Sequence, residues 1–413
     1  MRVFKFGGAS VKNAEAIKKA AAIIRSFPDQ PLLVVVSAMG KTTNALERLT
    51  GLTGQAREKG LDEIMGYHMQ AVEALFGHGH ALMVELASVR AHLEGLLGHP
   101  PSNADEWYDQ VVSQGEIMAT RVVASYLQKT GLPALWVDAR KYIITDDSFR
   151  EAKVDWGLTG EQVQSLRPLL DKNIVVTQGF IGSAKNGPVT TLGREGSDYS
   201  AAIFASCLQA MSVTIWKDVP GVMNADPKRL PAAVTFEELP FKEAAEMTYY
   251  GATVIHPKTI KPLANHNIPL YVKNFDDIHL PGTKIHECKV NGLPPLIIFK
   301  DDQCLVSCQV TDYTFINESQ LGIIFNALSA HRLKVNLIQS SAISFSFCLD
   351  FKEAKVMALI AELGKTFEVY YNTGLTLVTI KNYDTESFNK YKGLKNIVLE
   401  QTSRSTLQVL TRS

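Results

Sequence analysis

The run PLLVVV, Pro31 to Val36, constrains the fold more than any other stretch. An unbroken apolar run does not alternate between a wet and a dry face. It reads as a strand buried on both sides, as in a parallel sheet covered by helices. Further strands are expected at Arg2–Phe6, Leu132–Val137, Ile174–Gln178, Val213–Trp216 and Pro269–Asn274. Between them, helical periodicity covers about 13–25 (with Ser10 as a cap), most of 44–97, then 111–127, 241–250 and 259–265. Strands alternating with helices over about 290 residues imply a mostly parallel sheet with helices on both faces, an α/β three-layer αβα arrangement.

Strand after strand ends in glycine and polar residues. Lys5 closes the first, ahead of Gly7 and Gly8; Ser37, Gly40, Thr42 and Thr43 follow the second; Gln178-Gly179-Phe180 closes another. The carboxyl ends of strands are where open α/β sheets bind phosphates and substrates. The spacing fits neither the GxxxxGK[ST] loop nor the GxGxxG fingerprint. The richest stretch is TTLGREGSDYSAA, Thr190 to Ala202, which crowds Arg194, Ser197 and Asp198 between glycines and then enters a run of small residues. A loop that opens a helix points free N–H groups and the positive dipole end at its guest, so an anion is expected there. Glu116, in VSQGE among small and apolar neighbours, either caps a neighbouring element or holds a ligand's ammonium group. Residue patterns leave that choice open.

Composition narrows the partners. Forty-two basic residues balance forty-two acidic ones, so no broad positive field invites nucleic acid or an anionic membrane, and a small molecule is the expected partner. Cysteines at 207, 288, 304, 308 and 348 form no CxxC pair, which points to a reduced, cytoplasmic protein without disulfides or structural zinc. The histidines at 68, 78, 80 and 92 lack partners at ligand spacing and read as surface or core residues. No apolar run approaches the ~20 residues of a membrane span, and no targeting segment is evident.

From Asp276 to Pro295 the texture becomes that of a linker. Beyond it, strands at 304–311, 334–339, 343–350 and 366–371 with helices at 320–331 and 352–363 make one βαββαβ unit. Cys304 and Cys308 face the same side of one strand, as core residues. A second copy starts at Gly374, with strands at 394–400 and 406–410, and lacks its last helix and strand; Leu296–Lys300 is expected to supply the missing strand.

The set KFGGAS, VVVSAMGKTTN, VSQGE, TQGFIG, TTLGREGSDYSAA, DVPGV with NADP, and YYGATVIHP closely resembles the aspartokinases of the amino-acid kinase family, in order through the first 290 residues. The tail resembles the paired ferredoxin-like ACT modules of that family, with no homoserine dehydrogenase segment following. The resemblance implies a catalytic domain over 1–290, an ACT domain over 296–372 and a partial one over 373–413. It implies ATP- and Mg²⁺-dependent phosphorylation of the side-chain carboxylate of L-aspartate, the first step toward lysine, threonine and methionine. Lys5 then contacts the transferring phosphoryl group, Gly7 and Gly8 cradle phosphate oxygens, and Asp198 positions Lys5 and, through water, the magnesium. Arg194 clamps the α-carboxylate with its planar fork, Glu116 takes the α-ammonium, and Ser37, Thr43, Phe180 and Ser197 line the pocket. Lys217, Asp218, Met223, Asp226 and Lys228 match the nucleotide loop.

The chain departs from the pattern in three places: Ala9 for threonine, Glu195 for glycine, and Thr253 for a lysine near the phosphates, a loss that Lys258 or Lys228 would have to make good. For regulation, Ser340 and Ser341 match a hydroxyl pair of the lysine-binding site, whereas Asn336 and Ala342 replace acids. A homodimer through the ACT modules, taking lysine or threonine as effector, is implied, with weak or absent inhibition by lysine. Two rivals are a catalytically poor amino-acid sensor and a kinase acting on glutamate or another acid.

Overall fold

A computed structural model describes residues 1–28, 31–185, 187–252, 255–290, 292–311 and 315–412. The chain divides into two compact units. One comprises 1–223, 235–248 and 253–290, and the other comprises 224–234, 249–252 and 291–413.

The first unit begins with β1 (Arg2–Phe6), α1 (Ala14–Arg25), β2 (Leu32–Val36), α2 (Thr42–Gly51), α3 (Gly54–Phe76) and α4 (Leu82–Gly98). Next come α5 (Ala104–Val112), α6 (Gln114–Lys129), β3 (Ala134–Trp136), β4 (Ile144–Thr145), α7 (Trp156–Gln164), α8 (Arg167–Leu170) and β5 (Ile174–Gln178). It continues with β6 (Ile181–Ala184), β7 (Val189–Thr191), α9 (Gly196–Leu208), β8 (Ser212–Lys217) and β9 (Glu238–Pro240). The last elements are α10 (Phe241–Tyr250), α11 (Pro257–Asn265), β10 (Leu270–Asn274) and β11 (Thr283–His286).

Eight strands form one sheet in the order β3-β5-β2-β1-β8-β10-β11-β9, and only the β10–β11 pair is antiparallel. All five residues of β2 are buried, as a strand covered on both faces must be. Phe4, Phe6, Val34 and Val36 face a core shared with α1, α3, α4 and α6, while α9 packs across β1, β2 and β8 with α7 and α11 outside it. The small residues Ser200, Ala201, Ala202 and Ala205 let α9 lie almost wholly buried in that position, with Tyr199 and Cys207 partly exposed. A second sheet, β4-β6-β7, stands beside the first.

Several local expectations change. Asn13, not Ser10, caps α1, its side chain accepting from the Ala16 N–H at 2.9 Å. Ser10 instead lies in a short 3₁₀ turn and donates to the Trp216 carbonyl. The expected helix 111–127 is interrupted at Ser113, which puts Glu116 in the first turn of α6. The segment expected as linker contains β11, whose Leu270↔Ile285 pairing with β10 extends the main sheet.

In the second unit, β12 (Leu296–Gln309), α12 (Glu318–Ala330), β13 (Val335–Ser340), β14 (Ser344–Asp350) and α13 (Glu353–Leu363) are followed by β15 (Glu368–Lys381), α14 (Thr385–Lys392), β16 (Ile397–Thr402) and β17 (Thr406–Arg412). They make one antiparallel sheet in the order β13-β14-β12-β15-β17-β16. Two long strands, β12 and β15, run through it side by side; Leu296–Lys300 pairs with Leu377–Lys381, and the register shifts at Gln303. Cys304 and Cys308 pack in one core with α12 and α13. Helix α14 was not anticipated: TESFNKYK is polar, and its signal is the Asp384–Ser387 capping box.

Candidate active site

Four neighbouring parallel strands, β5, β2, β1 and β8, deliver their carboxyl ends to one edge of the sheet. Lys5 stands in register with Val35 of β2 and Ile215 of β8, so its side chain leaves the centre of the sheet among the loops after all four strands. Those loops approach closely because they are glycine-rich. A Cβ on Gly8 would sit 2.5 Å from the Gly40 carbonyl, and one on Gly179 would sit 2.5 Å from Ser197 Cβ. Gly115 lets α6 lie against Ala38 in the same way.

The loops enclose a cavity of about 490 Å³ lined by Lys5, Gly8, Ser37, Thr43, Glu116, Phe180, Arg194, Ser197 and Asp198. Every residue assigned above to the substrate pocket therefore reaches one cavity. Gly7 adjoins it, its α-carbon facing Lys5 Nζ.

At one end, Lys5 Nζ lies 2.6 Å from Asp198 Oδ1, and Lys217 Nζ lies 3.3 Å from Asp198 Oδ2. Burial pushes the fully buried Asp198 carboxyl up, but the charges of Lys5 and Lys217 outweigh it and hold the group below its ordinary range. Burial pulls the Lys217 ammonium down, and Asp198 and Glu195 more than reverse that. The result is a fixed cation-anion-cation row beside the glycine loop. Lys217 thus belongs to the charge cluster as much as to the loop that follows it.

At the other end, Glu116 is only 2% exposed. Its Oε1 accepts from the Ala38 N–H at 3.3 Å and the Thr43 hydroxyl at 3.4 Å, while Oε2 has no hydrogen bond among the described residues. Burial pushes its carboxyl up to about 8. Of the two roles left open above, capping is excluded for Oε2. A buried carboxylate with one uncommitted oxygen fits a ligand cation.

The Arg194 loop is built from left-handed backbone: Gly193 has φ 80, Glu195 φ 55, and Phe180, packed on Gly196, φ 69. The Ser200 hydroxyl donates to the Gly196 carbonyl and accepts the Phe180 N–H, which locks the two turns together. Glu195 occupies a conformation that suits glycine, the residue that the resemblance leads one to expect there. Glu195 also lines the cavity, and its charge acts on the Lys217 ammonium, so the acid is felt beside the Asp198 cluster.

Residues missed by sequence reasoning are Asn44, Tyr108, Arg150 and Glu151, all lining the same cavity. Asn44 closes the VVVSAMGKTTN motif without having been assigned a role, and the other three carry no motif signal. Of the expected nucleotide residues, only Lys217 joins this cluster. Asp218 is exposed, Met223 pairs with Thr235, Asp226 and Lys228 fall in the second unit, and Thr253 lies outside the described residues. Lys258 lies 4.0 Å from Glu151 and so reaches the rim of the cavity.

In the second unit, the Asn336 amide is already engaged. Its oxygen accepts from Lys300 Nζ at 2.8 Å, and its nitrogen donates to Gln303 and Asp350 at 2.8 Å each. Ser341 hydrogen-bonds to the Ser344 hydroxyl at 2.7 Å across the β13–β14 turn, and Ser340 is exposed. Among the described residues no three His, Cys, Asp or Glu side chains come together as a metal cage, and no helix is long and apolar enough to cross a membrane.

Residues 1–274 match the amino acid kinase family. The chain is 33% identical to lysine-sensitive aspartokinase 3 of Escherichia coli over 92% of its own length and 87% of the relative's. Among solved structures it is similar to E. coli aspartokinase III in complex with aspartate and ADP (R-state), with a TM-score of 0.87 and 31% identity over 100% of this chain and 96% of that one. The complex of that enzyme with lysine and aspartate (T-state) gives 0.84 at the same identity and coverage. With the three-layer fold, the shared cavity and these likenesses together, the chain belongs to the amino acid kinase family, and within it to the aspartokinases.

Proposed function

We propose that the chain transfers the γ-phosphoryl group of ATP to the side-chain carboxylate of L-aspartate, giving 4-phospho-L-aspartate, in the cytoplasm. One observation carries this reading: a buried carboxylate with a free oxygen, Glu116, and a guanidinium, Arg194, share one small cavity with Lys5 and Asp198, the pair that Lys217 extends into a row behind it. The first two match the two charged groups on the α-carbon of an amino acid. The third matches a phosphoryl group. The α-ammonium, once bound, draws the Glu116 carboxyl into its ionised form.

An aspartate side chain is ionised at neutral pH, so no general base is needed. Its oxygen attacks the γ-phosphorus, the new O–P bond forming as the bond to the bridging oxygen breaks and ADP leaves. Lys5, with Gly7 and Gly8, holds the charge on the transferring oxygens. Asp198 holds Lys5 and Lys217 at fixed distance, and Ser37, Thr43, Phe180 and Ser197 shape the pocket.

Both Asp198 oxygens are covered by ammonium groups, so Asp198 would hold a magnesium ion only through water, and such an ion would supply neutralisation of phosphate charge. Lys217, Asp218, Met223, Asp226 and Lys228 are assigned to the nucleotide, with Thr253 of the same set.

The catalytic domain spans 1–290, an ACT-type domain 296–372, and a second, partial one 373–413 completed by 296–300; the antiparallel sheets pair in a homodimer. An amino-acid effector binds near Asn336, Ser340 and Ser341. Lysine acts weakly there, because an amide whose oxygen already accepts the Lys300 ammonium offers no charge to a second one. A hydroxamate assay with ATP, Mg²⁺ and aspartate tests the reading. Product with aspartate supports it; product only with glutamate, or none, refutes it. Strong inhibition by added lysine would refute the regulatory part alone.

A further inference from the structure

The cavity holds more acid than its proposed substrate tolerates. Glu116, Glu151, Glu195 and Asp198 line it, and Lys5, paired with Asp198, is assigned above to the phosphoryl group. Arg194 then stands beside Glu195 as the cation left for a dicarboxylate, unless another side chain contributes. Arg150 is the remaining cation on the cavity wall.

Its delivery there is built. Arg150 has φ 67, a left-handed conformation that is unfavourable in a residue with a Cβ. The strain is held by Asp109, a fully buried carboxylate 41 residues away, whose two oxygens accept the Arg150 N–H at 3.2 and 3.0 Å. The same carboxylate accepts the Thr191 N–H at 2.8 Å and the Thr191 hydroxyl at 2.7 Å. The Ala152 N–H donates to the Thr191 carbonyl. Asp109 therefore fastens the turn carrying Arg150 to β7, which runs directly into Arg194. The guanidinium lies over the Tyr108 ring at 4.0 Å and pairs with Asp105 at 2.6 Å on the exposed side.

From this arrangement we infer that Arg150 is a second substrate-binding guanidinium, which leaves Asp105 to share the α-carboxylate with Arg194 and offsets Glu195, and that Asp109 is the residue that positions it. The inference rests on the aspartate kinase reading above. It predicts that carboxylate recognition in this chain depends on two forks instead of one.

Arg150→Gly is the test, because glycine accepts φ 67 and the fold is relieved of strain while the guanidinium is lost. For wild type and variant, KM and kcat are measured with aspartate and with isoasparagine, whose α-carboxylate is an amide and whose side-chain carboxylate is free. KM for aspartate is expected to rise about tenfold, with kcat and KM for ATP little changed. KM for isoasparagine should stay put, so discrimination between the two substrates shrinks by the same factor. An unchanged KM for aspartate, or an equal rise for both substrates, overturns the inference. No turnover of aspartate by the wild type overturns the kinase reading instead, so the two failures are distinct. Arg150→Lys should not restore the KM, since an ammonium cannot reproduce the fork; full rescue by lysine also overturns the inference.

Discussion

The two ends of the cavity hold buried carboxylates that behave oppositely. Glu116 and Asp198 are 2% and 0% exposed, yet the first is pushed up to about 8 and the second is held low. The difference lies in company. Asp198 has two ammonium groups within 3.3 Å; Glu116 has a backbone N–H and a hydroxyl on one oxygen and, among the described residues, no hydrogen-bond partner on the other. Burial alone makes a carboxylate wait for a cation, whereas burial with paired cations makes it a fixed strut. One end therefore has a carboxylate oxygen open to a cation, and in the proposed reading substrate completes it; the other is complete without a ligand.

Breaking the complete end should cost most. Lys5→Met removes the cation nearest the phosphoryl position and is expected to lower kcat by about a hundredfold or more, by analogy with lost oxyanion donors. Steady-state turnover at saturating aspartate and ATP measures it. A kcat within tenfold of wild type would mean that Lys5 only supports Asp198.

The waiting end should fail more gently, and with a pH signature. Below about pH 8 the free enzyme carries a neutral Glu116, so kcat/KM for aspartate should rise about tenfold per pH unit and level off near pH 8. Glu116→Gln should flatten that limb and raise KM. The same shift bears on stability: between the ordinary carboxyl range and about pH 8 the folded state binds the extra proton, so stability falls as pH rises through that window and is steady above it. Denaturation midpoints of wild type and Glu116→Gln across pH 5–9 check this; parallel curves would contradict it.

A smaller effect sharpens the contrast. Glu195 is in left-handed backbone beside Arg194 and helps hold the Lys217 ammonium up. Glu195→Gly should stabilise the fold by about 1 kcal/mol and lower KM for aspartate by a few-fold. Thermal unfolding and initial rates read the two parts separately.

How much of this was legible varied with the range of the interactions. The KFGG turn, the buried strand LLVVV and the entry into α9 follow from local pattern, because glycine, β-branching and small-residue runs act within a few positions. Arg150 had no such signal. It reaches the cavity because Asp109 joins it to Thr191, three segments far apart in sequence. The engagement of Asn336 was equally hidden, since Lys300, Gln303 and Asp350 come to it from β12 and β14. The polar helix α14 carries little signal because its apolar face is short, and β11 because a four-residue strand in a Pro- and Gly-rich stretch resembles a loop in composition.

By itself the sequence determined the main alternation of strands and helices, the glycine turns at the strand ends and those charged residues of the pocket that sit in motifs, all properties of short windows. Only the tertiary structure decided which charges neutralise one another, which carboxylate keeps an oxygen free, and which side chains without a motif join the wall. Those depend on distance and burial, and a folded chain sets both between residues that the sequence keeps far apart.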